Sequence, residues 1–157
     1  MRAELTLDTV EDTQAWGARL GRCLRAGDLL LLTGDLGAGK TTLTQGIAEG
    51  LGVRGPITSP TFVIARVHPS LVGGPALVHV DAYRLGGFAE LDDLDLDADL
   101  ADSVTVVEWG HGLAEGLAED YLEVTLTGAD RRRVTVEGHG PRWTGAAAGE
   151  LGTLLAG

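Results

Sequence analysis

Residues 29–42 read LLLLTGDLGAGKTT, and this stretch decides the fold. Leu29, Leu30, Leu31 and Leu32 make the longest apolar run in the chain. A continuous run of that kind, bounded by a turn at Gly27 and Asp28, reads as a strand buried on both faces of a parallel sheet. Residues 34–41 then fit G-x-x-x-x-G-K-[ST] at every defined position. Glycines at this spacing let successive backbone N–H groups turn inward around phosphate oxygens. After the loop, Leu43, Ile47 and Leu51 recur at helical spacing up to Gly52, and the positive end of that helix also favours an anion.

Working outward, residues 3–7 alternate as a short first strand. Asp8 and Thr9 are suited to cap a helix that carries Trp16, Leu20, Cys23 and Leu24. Past the loop, residues 55–60 read as a loop and 62–67 as a strand. Two further apolar strands end in carboxylates: 76–80 before Asp81, and 103–107 before Glu108. Residues 88–102 read as one or two short acidic helices. Residues 121–127 and 132–137 alternate around Gly128, Ala129 and Asp130 as a hairpin, and 143–155 as a closing helix. Strands alternating with helices imply an α/β fold of the P-loop NTPase type. The expected architecture is a three-layer sandwich with a mostly parallel sheet and a C-terminal antiparallel hairpin at one edge. Residues 1–157 form a single P-loop ATPase domain on this reading.

The chain has 157 residues, 44% hydrophobic and 22% charged, which is enough to bury a core. Its 23 acids outnumber 12 lysines and arginines, for a net charge of −11. Such a surface repels phosphate backbones and anionic lipid, so neither DNA nor a membrane is expected as a partner. Cys23, the lone cysteine, cannot form an intrachain disulfide. The first residues lack the apolar stretch of a signal peptide, and the expected location is the cytoplasm.

Lys40 is the only lysine. In a chain that otherwise uses arginine, a compact, flexible ammonium stands where the β- and γ-phosphates would lie. Asp35, Leu36, Gly37, Ala38, Gly39, Lys40, Thr41 and Thr42 are the nucleotide-binding candidates, with the Thr41 hydroxyl toward magnesium. Such a site also needs a carboxylate at the end of a neighbouring buried strand, and Asp81 and Glu108 both qualify; either could instead cap the next helix. With Lys40 as sole lysine, the N-K-x-D guanine signature is excluded, which favours ATP over GTP. Asp92, Asp93, Asp95, Asp97, Asp99 and Asp102 do not form a calcium loop: Ala98 stands where glycine is needed and Val104 where the final glutamate belongs. Arg131, Arg132 and Arg133 read as a charged hairpin tip. His68, His111 and His139 show no metal spacing.

Four segments together resemble the bacterial TsaE (formerly YjeE) family. They are residues 34–42, then Ser59-Pro60-Thr61-Phe62, then 79–85 (HVDAYRL), then Val107-Glu108-Trp109. The resemblance covers roughly the first two thirds of the chain; beyond about Gly110 it is one of general pattern. It implies a magnesium-dependent ATPase, weak alone, in the synthesis of threonylcarbamoyladenosine beside the anticodon of tRNA. It also implies TsaD and TsaB as partners and tRNA contacted through their complex. Within that pattern Thr41 and Glu108 correspond to magnesium-site residues, and Asp81 to a carboxylate needed for activity. Lys40, Asp81 and Glu108 are thus the catalytic candidates. Ser59 and Thr61 correspond to a switch-like loop, although a plain turn has the same sequence. Trp109 corresponds to a required tryptophan or is simply a core aromatic. His79, Tyr83 and Arg84 are expected to position the loop or a partner.

Two other classes share these residues. A small-molecule P-loop kinase uses the same loop, although no arginine-bearing lid segment stands out. A nucleotide-gated binding module needs the loop but not hydrolysis.

Overall fold

Leu29, Leu30, Leu31 and Leu32 are fully buried because their strand runs through the middle of a seven-stranded sheet. A computed structural model describes residues 2–34, 39–53, 55, 65–81, 102–108, 120–128 and 131–143. Its strands are β1 (Arg2–Leu7), β2 (Leu29–Gly34), β3 (Ala65–His68), β4 (Ala76–Asp81), β5 (Ser103–Glu108), β6 (Tyr121–Thr127) and β7 (Arg132–His139). Two helices, α1 (Val10–Cys23) and α2 (Lys40–Leu51), are interleaved with them. The sheet order is β1-β7-β6-β2-β5-β4-β3.

The four central strands, β6, β2, β5 and β4, run parallel. The antiparallel members lie at the flanks: β7 and β1 on one side, β3 on the other. The expected hairpin is therefore present as β6 and β7, with β6 a direct parallel neighbour of β2. The outermost place on that flank belongs to β1, which covers the edge of β7 and satisfies its backbone groups. Leu30 and Leu32 share a core with Val104, Val106, Leu122, Val124, Leu126, Val134 and Val136 under α1 and α2. Leu29, Leu31, Val78, Val80 and Val107 alternate to the opposite face and are buried as well. The helices expected over 88–102 and 143–155 lie outside the described residues, apart from Asp102 in a turn and Trp143 in a short 3-10 turn, Pro141–Trp143.

Helix α1 starts where the sequence signals it. Thr9 is extended, and its Oγ1 accepts the Asp12 N–H at 3.0 Å, while Glu11 and Asp12 complement the helix dipole. Its contact with α2 is set by small residues. A Cβ added at Gly17 or Gly21 of α1, or at Gly46 or Gly50 of α2, would come closer than 3.0 Å to a backbone oxygen of the other helix. The helices therefore touch backbone to backbone, and Trp16 and Leu20 fill the space between them and the sheet. At the amino end of β2, Arg142 grips Asp28 through two nitrogens, at 3.1 and 3.3 Å, and stacks over Trp143. That grip ties the far end of β7 to the turn before β2.

Gly46→Ala is expected to overpack the helix contact by about 1–3 kcal/mol, lowering the melting temperature by roughly 3–10 °C in thermal denaturation.

Candidate functional site

The parallel arrangement gathers the expected residues along one edge. β2 ends at Gly34, β5 at Glu108 and β4 at Asp81. Leu32 is in register with Glu108, and Glu108 with Asp81. β5 is the direct neighbour of β2 and β4 lies one strand further, so both candidate carboxylates belong to the carboxyl edge of the sheet, where α/β folds bind ligands. Asp81 joins this edge through its parallel pairing with Glu108.

Gly39 and Lys40 connect this edge to α2. Gly39 has φ +101°, a left-handed conformation that side-chain-bearing residues rarely adopt. Gly39 stands at the N-cap of α2 and has no side chain to cap it, and no side-chain cap is present among the described residues. Lys40 is 7% exposed, and its Nζ donates to the Gly34 carbonyl at 2.5 Å. This bond draws the two ends of the glycine loop together across six residues. Thr44, fully buried, donates to the Lys40 carbonyl at 2.9 Å and holds the first turn of α2 closed. Thr41 and Thr42 are half-buried. Asp35, Leu36, Gly37, Ala38, Ser59, Thr61, Tyr83, Arg84 and Trp109 lie outside the described residues.

Glu108 is 4% exposed and faces the α2 side, in the same alternation as Val104 and Val106. Its Oε2 lies 2.7 Å from His79 Nε2, and the His79 side chain is wholly buried. The sequence pointed His79 at a loop or a partner; the structure points it at Glu108. The signal was available in part, because His79 stands two residues before Asp81 and so shares its alternation.

A second group was missed. Among the three consecutive arginines only Arg132 is half-buried; Arg131 pairs with Asp8 on the surface at 3.1 Å and Arg133 is exposed. A Cβ added at Gly39 would sit 2.5 Å from Arg132 Nε, so this guanidinium packs directly on the phosphate loop. The sequence placed the three in a hairpin turn but could not say which one faced the loop. On the same hairpin, Glu123, Glu137 and His139 cluster with potential ligand atoms within 4.8 Å of one another. Arg2 lies 3.7 Å from Glu137, and Tyr121 stacks on His139, so ionic and ring contacts already serve this group.

The donor set fits a magnesium nucleotide. The absence of a Cβ at Gly39 admits the Arg132 side chain against the loop, Gly39 offers the start of α2 no side-chain acceptor, and Lys40 and Arg132 supply positive charge. The hydroxyl of Thr41 and the carboxylate of Glu108 are hard oxygen ligands.

The family model for threonylcarbamoyl adenosine biosynthesis protein TsaE matches residues 7–135 of this chain. The chain is 63% identical over 137 residues to the tRNA threonylcarbamoyladenosine biosynthesis protein TsaE of Streptomyces coelicolor, covering 83% of this chain and 93% of that protein. It is 58% identical over 128 residues to the protein of the same name from Mycobacterium tuberculosis, covering 77% of this chain and 76% of that one. The crystal structure of YdiB from Bacillus subtilis superposes with a TM-score of 0.76 at 31% identity, over 99% of this chain and 95% of that one. The matched residues extend through β6 into β7, further than the motifs in the sequence reached.

Arg132→Ala is expected to weaken ADP binding by about threefold to tenfold, the loss of one charge-assisted contact. Arg133→Ala should leave it unchanged. Calorimetric titration of both variants with ADP separates a loop contact from general hairpin charge.

Proposed function

The chain belongs to the TsaE family, and from that premise we propose that it is the ATP-binding and ATP-hydrolysing subunit of the bacterial machinery that makes threonylcarbamoyladenosine next to the anticodon in tRNA. The observation that carries the ATPase reading is the convergence of buried Lys40, the uncapped start of α2 and Glu108 on the adjoining strand.

The chain's own residues divide the work by position. The loop amides, with Gly39 giving the close approach, hold the phosphates. Lys40 exchanges its bond to the Gly34 carbonyl for phosphate oxygens, an ammonium already placed and desolvated by the fold. Thr41 and Glu108 would hold magnesium, directly or through water, with Asp81 the second acidic residue at the same edge. Bound there, the ion would supply charge neutralisation for phosphoryl transfer. Arg132 adds a fixed positive charge on the outer side of the loop.

Docking to TsaD and TsaB is the expected trigger for turnover. The net charge of −11 favours a division of labour in which those subunits hold the tRNA. Among the described residues no helix is long and apolar enough to cross a membrane, and the cytoplasm is the proposed location.

ATP hydrolysis should be slow for the isolated protein and rise when the TsaD–TsaB pair is added. Lys40→Ala is expected to lower the stimulated rate by about 10²–10³-fold and to stop repeated tRNA modification in the reconstituted system. Equal rates with and without the pair, together with full modification by Lys40→Ala, would contradict the proposal.

A further inference from the structure

Glutamate has three rotatable side-chain bonds, and a carboxylate at the end of a strand has no reason of its own to hold one direction. Glu108 does hold one, because His79 on the adjacent strand fixes it. The His79 ring has no exposure and sits in β4 two residues before its end, in register with Val106 of β5. Its Nε2 is 2.7 Å from Glu108 Oε2, a short contact of the kind made by a charged acceptor. An ionised carboxylate only accepts, so the hydrogen-bond pattern assigns the proton to Nε2 and leaves Nδ1 bare. Nδ1 agrees with that assignment: it is buried and has no partner among the described residues, and a buried N–H there would be the costlier orphan.

The contact uses one carboxylate oxygen. Among the described residues Glu108 has no hydrogen bond besides the one to His79, so Oε1 is its remaining oxygen.

We propose that His79 is a positioning residue that orients Glu108 and leaves its Oε1 available to a metal ion. The inference rests on the metal role proposed above for Glu108. Outer-shell partners of this kind are worth about 10- to 100-fold in metal affinity. Gln at position 79 can still donate an N–H toward Glu108, whereas Leu fills the volume and cannot donate.

The test uses the full chain with ADP and manganese as a paramagnetic stand-in, read by electron paramagnetic resonance, with magnesium and calcium as competitors. His79→Leu should weaken manganese binding by about 10- to 100-fold. His79→Gln should stay within about threefold of the unmodified protein, and metal-free ADP affinity should not change in either. A folded His79→Leu protein with unaltered manganese affinity, or a His79→Gln protein as impaired as His79→Leu, overturns the proposal. Glu108→Ala distinguishes the two levels: unchanged manganese affinity there removes the metal role of Glu108 itself, whereas a loss there with none in His79→Leu removes only the positioning. Should His79→Leu not fold, nitrogen-15 NMR of the unmodified protein decides. A slowly exchanging proton on His79 Nε2 is expected, and a proton on Nδ1 instead overturns the assignment.

Discussion

Helices α1 and α2 touch through their backbones, and much of the molecule's geometry follows from that contact. Gly17 and Gly21 face carbonyl oxygens of α2, and Gly46 and Gly50 face those of α1. Because no side chain intervenes, the distance between the helices has little freedom, and interiors packed at this density do not deform gradually. The axis of α2 is fixed against α1, α1 is fixed by its Thr9 cap, and its fully buried Trp16 is locked into the core. The start of α2 is thereby held at the end of β2. The bond from Lys40 to the Gly34 carbonyl closes the loop between them. A phosphate loop works only if its amides are already aimed, since arranging them on binding would consume much of the binding energy.

Charge is the second constraint. On the proposed reading a chain with a net charge of −11 binds an anion, which calls for positive potential concentrated at the ligand. Among the described residues the groups placed for this are the buried Lys40, the start of α2 at Gly39 and Arg132 folded onto the glycine loop. Glu108 then introduces a buried negative charge close by. Burial of a lone carboxylate is expensive, and the hydrogen bond from His79 offsets part of that cost while fixing the direction of the group. The same contact thus lowers the cost of burying Glu108 and limits its direction.

The sheet also divides into two regions of different character. The parallel centre carries the site at its carboxyl edge, and the antiparallel flank of β6, β7 and β1 supports it. Arg132 connects the regions, since it belongs to the flank by sequence and to the loop by contact. The region beyond Gly110, which showed only a general pattern in sequence, therefore contributes to the site as well as to the core.

Much of this was legible in residues 29–42, because a run of four leucines, a glycine loop and a following amphipathic helix are local signals with one common physical reading. The strands ending in Asp81 and Glu108, the Thr9 cap and the late hairpin were local in the same sense. The expectation of ATP over GTP needed only the count of lysines. What the sequence could not contain was distance between strands that are remote in the chain. His79 and Glu108 are 29 residues apart, and only the parallel register of β4 on β5 brings the imidazole to the carboxylate. Arg132 is likewise one of three identical neighbours until the pairing of β6 with β2 sets which one meets Gly39. Identity of the loop is a property of consecutive residues; the choice of partners for its carboxylate and its phosphates is a property of the sheet, because strand order and register are fixed by burial of the whole core and by no single segment.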